Sequence, residues 1–257
     1  MISLRGFNYV KPYVAMWQVG LGNIFKMMYR ICLMLLFAYA ALYAARPMIT
    51  DDARVVDRHS CQLETWGIYD GKIGEYYVIP GCNLFLDIEI SMGAMMSNLP
   101  ANQAKESFRA QQFIFSAKRV FSDLETQGYS YGIALGNAYN FLYSKYSNDY
   151  YLYIPASMVF FDNKLLLHSN LGYKLQRRND EPHIFYAGLG LEQQITQRLW
   201  LLGEALYERF EKTKFQVGVR IWLLQDKIQL DSTYGNAFSG GGSWVSVGLR
   251  FLSPEFF

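Results

Sequence analysis

Between residues 215 and 251 apolar and polar side chains take turns. Phe215, Val217, Val219 and Ile221 occupy odd positions with Gln216, Gly218 and Arg220 between them, the period of two of a strand whose faces meet unlike surroundings. After Leu224, Gln225, Asp226 and Lys227 the rhythm resumes. Ile228, Leu230, Ser232 and Tyr234 share one face, and Gln229, Asp231, Thr233 and Gly235 the other. Past a glycine-rich loop, Val245, Val247, Leu249 and Phe251 oppose Ser246, Gly248 and Arg250. Each strand thus sets apolar side chains against polar ones that include a full charge. A soluble sandwich buries such apolar faces against each other. Faces this long, edged with aromatic rings and repeated along most of the chain, instead predict a lipid-facing wall around a polar lumen, an all-β transmembrane antiparallel up-and-down β-barrel.

Earlier segments continue the series. Residues 61–69 pair with 75–79 about a turn at Asp70, Gly71 and Lys72. In the third strand Leu86, Ile88, Ile90, Met92 and Ala94 face lipid, with Asp87, Glu89, Ser91 and Gly93 inward. Residues 95–105, with Asn98, Pro100 and Asn102, read as a loop. Strands follow at 107–120, 129–141, 150–161, 165–176, 183–195 and 199–210, making twelve with the last three. Ten is the alternative, because the sixth has apolar residues on both faces and Pro155 within it. An even count puts both chain ends on the periplasmic side.

Composition alters this picture little. A net charge of +2 and a mean hydropathy of +0.01 give no reason to expect a nucleic-acid partner. In a barrel only alternate residues see lipid, so the average conceals the membrane. The aromatic share, 17% with 20 Tyr and 18 Phe, suits rings anchored at two membrane interfaces.

Residues 31–43 form the one continuous apolar block, with Lys26 and Arg30 just before it. It falls short of the roughly 20 apolar residues of a spanning helix and is followed by small residues. This predicts a secretory signal over residues 1–44, cleaved after Ala40 or Ala44, with 1–26 open to reading as a misassigned upstream start and a retained anchor helix as the other possibility. Removal takes Cys32 and leaves Cys61 and Cys82. Folding the first hairpin about Lys72 sets these nearly opposite each other, which predicts a disulfide in an exported chain.

Residues 45–58 read as a periplasmic N-terminal arm, and 59–257 as the barrel. The arm opens with Pro47 and carries Thr50, Asp51, Asp52, Arg54, Asp57 and Arg58 without alternation. It cannot face lipid, so it lies in the periplasm or folds into the barrel mouth. The run Arg46, Pro47, Thr50, Asp51, Asp52, Ala53, followed by Cys61, Gln62 and Glu64 at the first strand, resembles the meta-pathway phenol-degradation family of outer-membrane proteins. The resemblance covers residues 46–64. It implies a Gram-negative outer-membrane barrel that admits small, often aromatic, hydrophobic compounds, and it transfers no binding residue.

Hairpin arithmetic gathers five lumen charges, Glu192, Glu204, Arg220, Asp231 and Arg250, into one transverse row. Arg220 is expected opposite both Asp231 and Glu204, Glu192 near Glu204, and Asp231 near Arg250. The row reads either as a structural set of paired charges or as the constriction of a pore. His168 and Asn170 point into the lumen while Ser169 points away, so these neighbours form no catalytic pair and no enzyme is predicted. The dispersed histidines and oxidised cysteines assemble no metal site, and the glycines at 240–242 lack the helix and lysine of a phosphate loop. No cofactor is expected. Phe251 or Phe257 supplies the terminal aromatic that outer-membrane assembly machinery reads. The whole describes a monomeric passive transporter or channel for small hydrophobic or aromatic compounds. An outer-membrane lipid-modifying enzyme and a structural or surface-interaction barrel are the alternatives.

Overall fold

The computed structural model describes residues 48–85, 87–98, 109–177 and 179–254. The expected signal segment with Cys32, Leu86, most of the loop at 95–105 and Phe257 lie outside these residues. The strands are β1 (Ser60–Tyr69), β2 (Gly74–Phe85), β3 (Ile88–Ser97), β4 (Arg109–Val120), β5 (Tyr129–Asn140) and β6 (Asn148–Phe160), then β7 (Leu165–Gln176), β8 (His183–Gln194), β9 (Leu199–Glu208), β10 (Lys214–Leu224), β11 (Ile228–Ala237) and β12 (Trp244–Leu252). Each pairs antiparallel with its sequence neighbours, and β1 pairs with β12 to close the barrel. Among the described residues twelve strands are present, so the ten-strand alternative falls away.

The protein is polar inside and apolar outside. Leu171 and Leu189 leave 66% of their surface open on the outer wall. Gln216, Asn83 and Asp231 are fully buried. In hydrocarbon every main-chain N–H and C=O needs an internal partner, and the β1 to β12 seam removes the free edge that would leave some unpaired. The seam runs on past β12, where Ser253 and Cys61 exchange bonds between main chain and hydroxyl. β1 begins and β12 ends at the same end of the barrel, the periplasmic end in bacterial barrels.

Pro155 explains why β6 is hard to read. Its side chain faces inward and is buried, and the β5 to β6 ladder skips it, from Ala134↔Tyr153 to Tyr131↔Ala156. Register is kept on both sides of the gap, because proline only removes a donor. Strand β3 continues through Met95, Met96 and Ser97, which the sequence reads as loop. A bulge against β4 falls there, and inward Met95 masks the alternation.

Cys61 stands opposite Cys82 and the two form a disulfide. In the turn above them the Asp70 carboxylate accepts the main-chain N–H of Ile73 and Lys72, which holds its pKa below the ordinary value. Between β4 and β5 lies one helical turn, α1 (Leu124–Gln127), capped by Asp123 at its start and by Gly128 in the left-handed region at its end.

Because the outer wall meets acyl chains, Leu171→Arg is expected to destabilise the folded barrel by about 2–4 kcal/mol and Leu171→Ala far less. Urea unfolding in lipid vesicles, followed by tryptophan fluorescence, measures the difference.

Candidate functional site

Of the two places open to the arm, the periplasm and the barrel, its described residues 48–56 take the second. From Arg58 at the periplasmic end, residues 58 to 48 climb the lumen, and the wall holds their main chain at successive levels. The Val56 N–H donates to Glu89 Oε2 at 3.0 Å, and its carbonyl accepts from Asn83 Nδ2 at 2.8 Å. Higher up, the Ala53 N–H donates to Ser157 Oγ at 2.8 Å. Asn170 grips Asp51 at both ends of its main chain, accepting the N–H at 2.7 Å and donating to the carbonyl at 2.8 Å. Uppermost, Glu204 takes the N–H groups of Ile49 and Thr50, one on each carboxylate oxygen, at 2.8 and 2.7 Å.

Side chains of the arm add a charged anchor and a close fit. Lys118 donates to both Asp51 carboxylate oxygens and to the Asp52 carbonyl, and the Tyr153 hydroxyl donates to Asp51 Oδ2 at 2.6 Å. Arg54 folds back onto Asp52. Met48 and Thr50 lie against Gly188 and Gly190 of β8, where an added Cβ would fall within 2.6 Å of Thr50 Oγ1 or Met48 Cε. These glycines are the hollow in which the arm lies.

The five predicted lumen charges divide. Arg220 pairs with Asp231 in register, donates to its carboxylate at 2.9 to 3.1 Å, and reaches across β9 to Glu192 at 2.5 Å. Arg250 turns to β1, donating to Gln62 at 2.7 Å with Glu64 at 3.7 Å. Glu204 is not opposite Arg220. It faces Gln216, and Trp200 faces Arg220, because β9 and β10 turn about Phe210 in a left-handed conformation and not about Lys212. That shift lifts Glu204 out of the row and gives it to the arm. Glu192 likewise faces Leu202.

Sequence reasoning missed Asn83, Lys118, Tyr153 and, most tellingly, Ser157. It lies opposite His168, with Oγ 2.8 Å from Nδ1, and His168 Nε2 lies 3.5 Å from Glu192 Oε1. Folding β6 and β7 about the recognised turn at Asp162 and Asn163 pairs these residues, but the unclear parity of β6 hid the shared face. Serine, imidazole and carboxylate are the parts of an acyl-transfer relay. In this arrangement the serine is fully buried and already accepts the arm's Ala53 N–H. The buried His168 Nε2 makes no hydrogen bond among the described residues, so the contacts from the arm through Ser157 stop short of Glu192.

Two cavities flank the arm. One, of about 110 Å³, is polar and lies between Asp51, Lys118, Tyr151 and Tyr153. The other, of about 790 Å³, opens toward the periplasmic end and is lined by apolar Val56, Leu166, Trp200 and Trp222 together with many charged side chains, Arg58 and Arg220 among them. The buried Trp200 Nε1–H has no hydrogen-bond partner among the described residues.

A family model described as uncharacterised conserved protein UCP029691 matches residues 32–251. The chain belongs to that family. A search of curated proteins finds no match. Among solved structures, the KdgM porin in complex with disordered oligogalacturonate is 11% identical at a TM-score of 0.54, covering 75% of this chain and 98% of the porin. The NanC porin is 7% identical at 0.53, covering 74% and 98%. These likenesses are of fold, that of Gram-negative outer-membrane porins, and with the apolar outer wall they make the protein an outer-membrane β-barrel.

Removing Arg220 would leave Glu192 and Asp231 buried beside one another. Arg220→Met is expected to cost about 3–5 kcal/mol of stability, most of it recovered when Glu192→Gln and Asp231→Asn are added. Urea titration of the three proteins in vesicles gives the comparison.

Proposed function

We propose that this barrel is an outer-membrane channel for small solutes, held shut by its own N-terminal arm. The carrying observation is that the arm's main chain is hydrogen-bonded to wall side chains from several strands at successive depths of the lumen. Nothing in the lumen wall ties the arm down by a covalent bond, so displacement of residues 48–56 widens the passage without breaking the strand ladder.

Small aromatic or apolar compounds are the proposed cargo. The larger cavity sets Trp200 and Trp222 beside Leu166 and the arm's Val55 and Val56, and its volume is within the range of about 300–1,000 Å³ that suits a small ligand. The Trp200 N–H can serve an oxygen on such a compound. The resemblance of residues 46–64 to the phenol-degradation family supports the same class. The KdgM porin's oligogalacturonate marks a different one, an acidic saccharide, for which the charge-paired wall here offers no excess of cations.

A lipid-modifying enzyme is the second reading, favoured by Ser157 on His168. It needs a reactive hydroxyl open to substrate, and phospholipid release from vesicles would reveal it.

In planar bilayers the wild-type barrel is expected to conduct rarely. A variant lacking residues 48–56 is expected to conduct several-fold more, with faster uptake of a small phenolic solute into vesicles. Equal conductance and uptake in the two would end the channel proposal.

A further inference from the structure

The wall grips the arm along its peptide backbone as well as at its side chains. Eight hydrogen bonds run from the wall to main-chain N–H or C=O groups of residues 49 to 56. They come from Asn83, Glu89, Lys118, Ser157, Asn170 and Glu204, one side chain on each of six strands. Backbone groups are common to every sequence, so this part of the grip does not depend on which residues the arm carries. Ile49, whose N–H is held, leaves 57% of its surface open.

Sequence enters at the buried side chains of Met48 and Val56 and at three further places. Asp51 is read by charge, through Lys118 and Tyr153. Ala53 is only 1% exposed, its methyl enclosed where its N–H meets Ser157. Thr50 fits the hollow over Gly188 and Gly190. A covalent tail needs none of this discrimination to stay near its own barrel, because tethering alone supplies a high effective concentration.

We infer that the lumen is a binding site for an extended peptide, with an aspartate at the Asp51 position and a small residue at the Ala53 position. The arm is its occupant in cis. A second peptide of that chemistry, offered from the periplasmic end where Arg58 leaves the lumen, competes for the same side chains and is the partner that displaces the arm. The inference rests on the channel reading only in treating the arm as displaceable, and it names what displaces it.

The test uses the full-length protein in nanodiscs, with a protease site inserted between Asp57 and Arg58, which are exposed. After cutting, the arm is a free peptide in a folded barrel. Either its retention through washing or its replacement by a fluorescent peptide of residues 48–58, with saturable anisotropy, is the expected result. A peptide carrying Asp51→Asn should bind about tenfold or more weakly, since a charge-assisted anchor is lost, and one carrying Ile49→Ala should bind as the parent does. Loss of the cut arm without rebinding of the labelled peptide would overturn the inference, as would equal binding of a scrambled peptide. Conductance of the cut barrel separates the two ideas. A conducting barrel that binds no peptide leaves the channel and removes the peptide site, and a peptide-binding barrel that never conducts does the reverse.

Discussion

Closure of β1 onto β12 is the constraint from which the rest follows. A strand edge in hydrocarbon leaves unpaired N–H and C=O groups at several kcal/mol each, so the sheet must meet itself. Once it does, its inner faces surround a space whose contents are not settled by the sheet. Alternation turns every second side chain inward, and in this chain those residues include carboxylates, amides, hydroxyls and a buried imidazole. Such groups need partners or water. Arg220 answers for Glu192 and Asp231, and the arm answers for Glu204, Asn170, Ser157 and Glu89. The plug is thus a consequence of a polar interior as much as an obstruction to it.

Much of the frame was legible because its signal is local. Inward and outward positions of β10, β11 and β12 follow from parity alone, and the Cys61 to Cys82 bridge from the centre of one short turn. Register across longer connections was less secure. Shifting a hairpin centre by two residues moves a partner by four, which is the error that set Glu204 against Arg220 when its opposite is Gln216. The left-handed residue at Phe210 that decides the turn is an aromatic, a type that does not announce such a conformation.

The arm was illegible for a different reason. Its sequence has no period, and its place is dictated by contacts 27 to 155 residues away, from Val56 on Asn83 to Ile49 on Glu204. A charged, aperiodic segment beside a barrel is compatible with the periplasm or the lumen, and only the wall chooses between them. The same applies to Ser157, whose meaning depends on His168 across the strand pair. Apolar residues on both faces of β6, and the donor missing at Pro155, removed the alternation that would have disclosed their shared side.

How firmly the arm sits can be judged from magnitudes. Exchanging hydrogen bonds to water for bonds to protein gains only about 1 kcal/mol each, while fixing the backbone costs roughly 1–2 kcal/mol per residue. Eight such bonds gain about 8 kcal/mol and fall short of the roughly 9–18 kcal/mol that ordering residues 48–56 costs, so they alone do not dock the segment. The decision passes to the burial of Met48 and Val56, about 1.5–3 kcal/mol apiece, and to the charge-assisted bonds of Asp51. A closed state held by so few net contributors is one that a competing segment or a passing solute can open, because water refills the polar sites the arm vacates. A dry apolar core offers no such replacement, and a plug packed into one would be permanent.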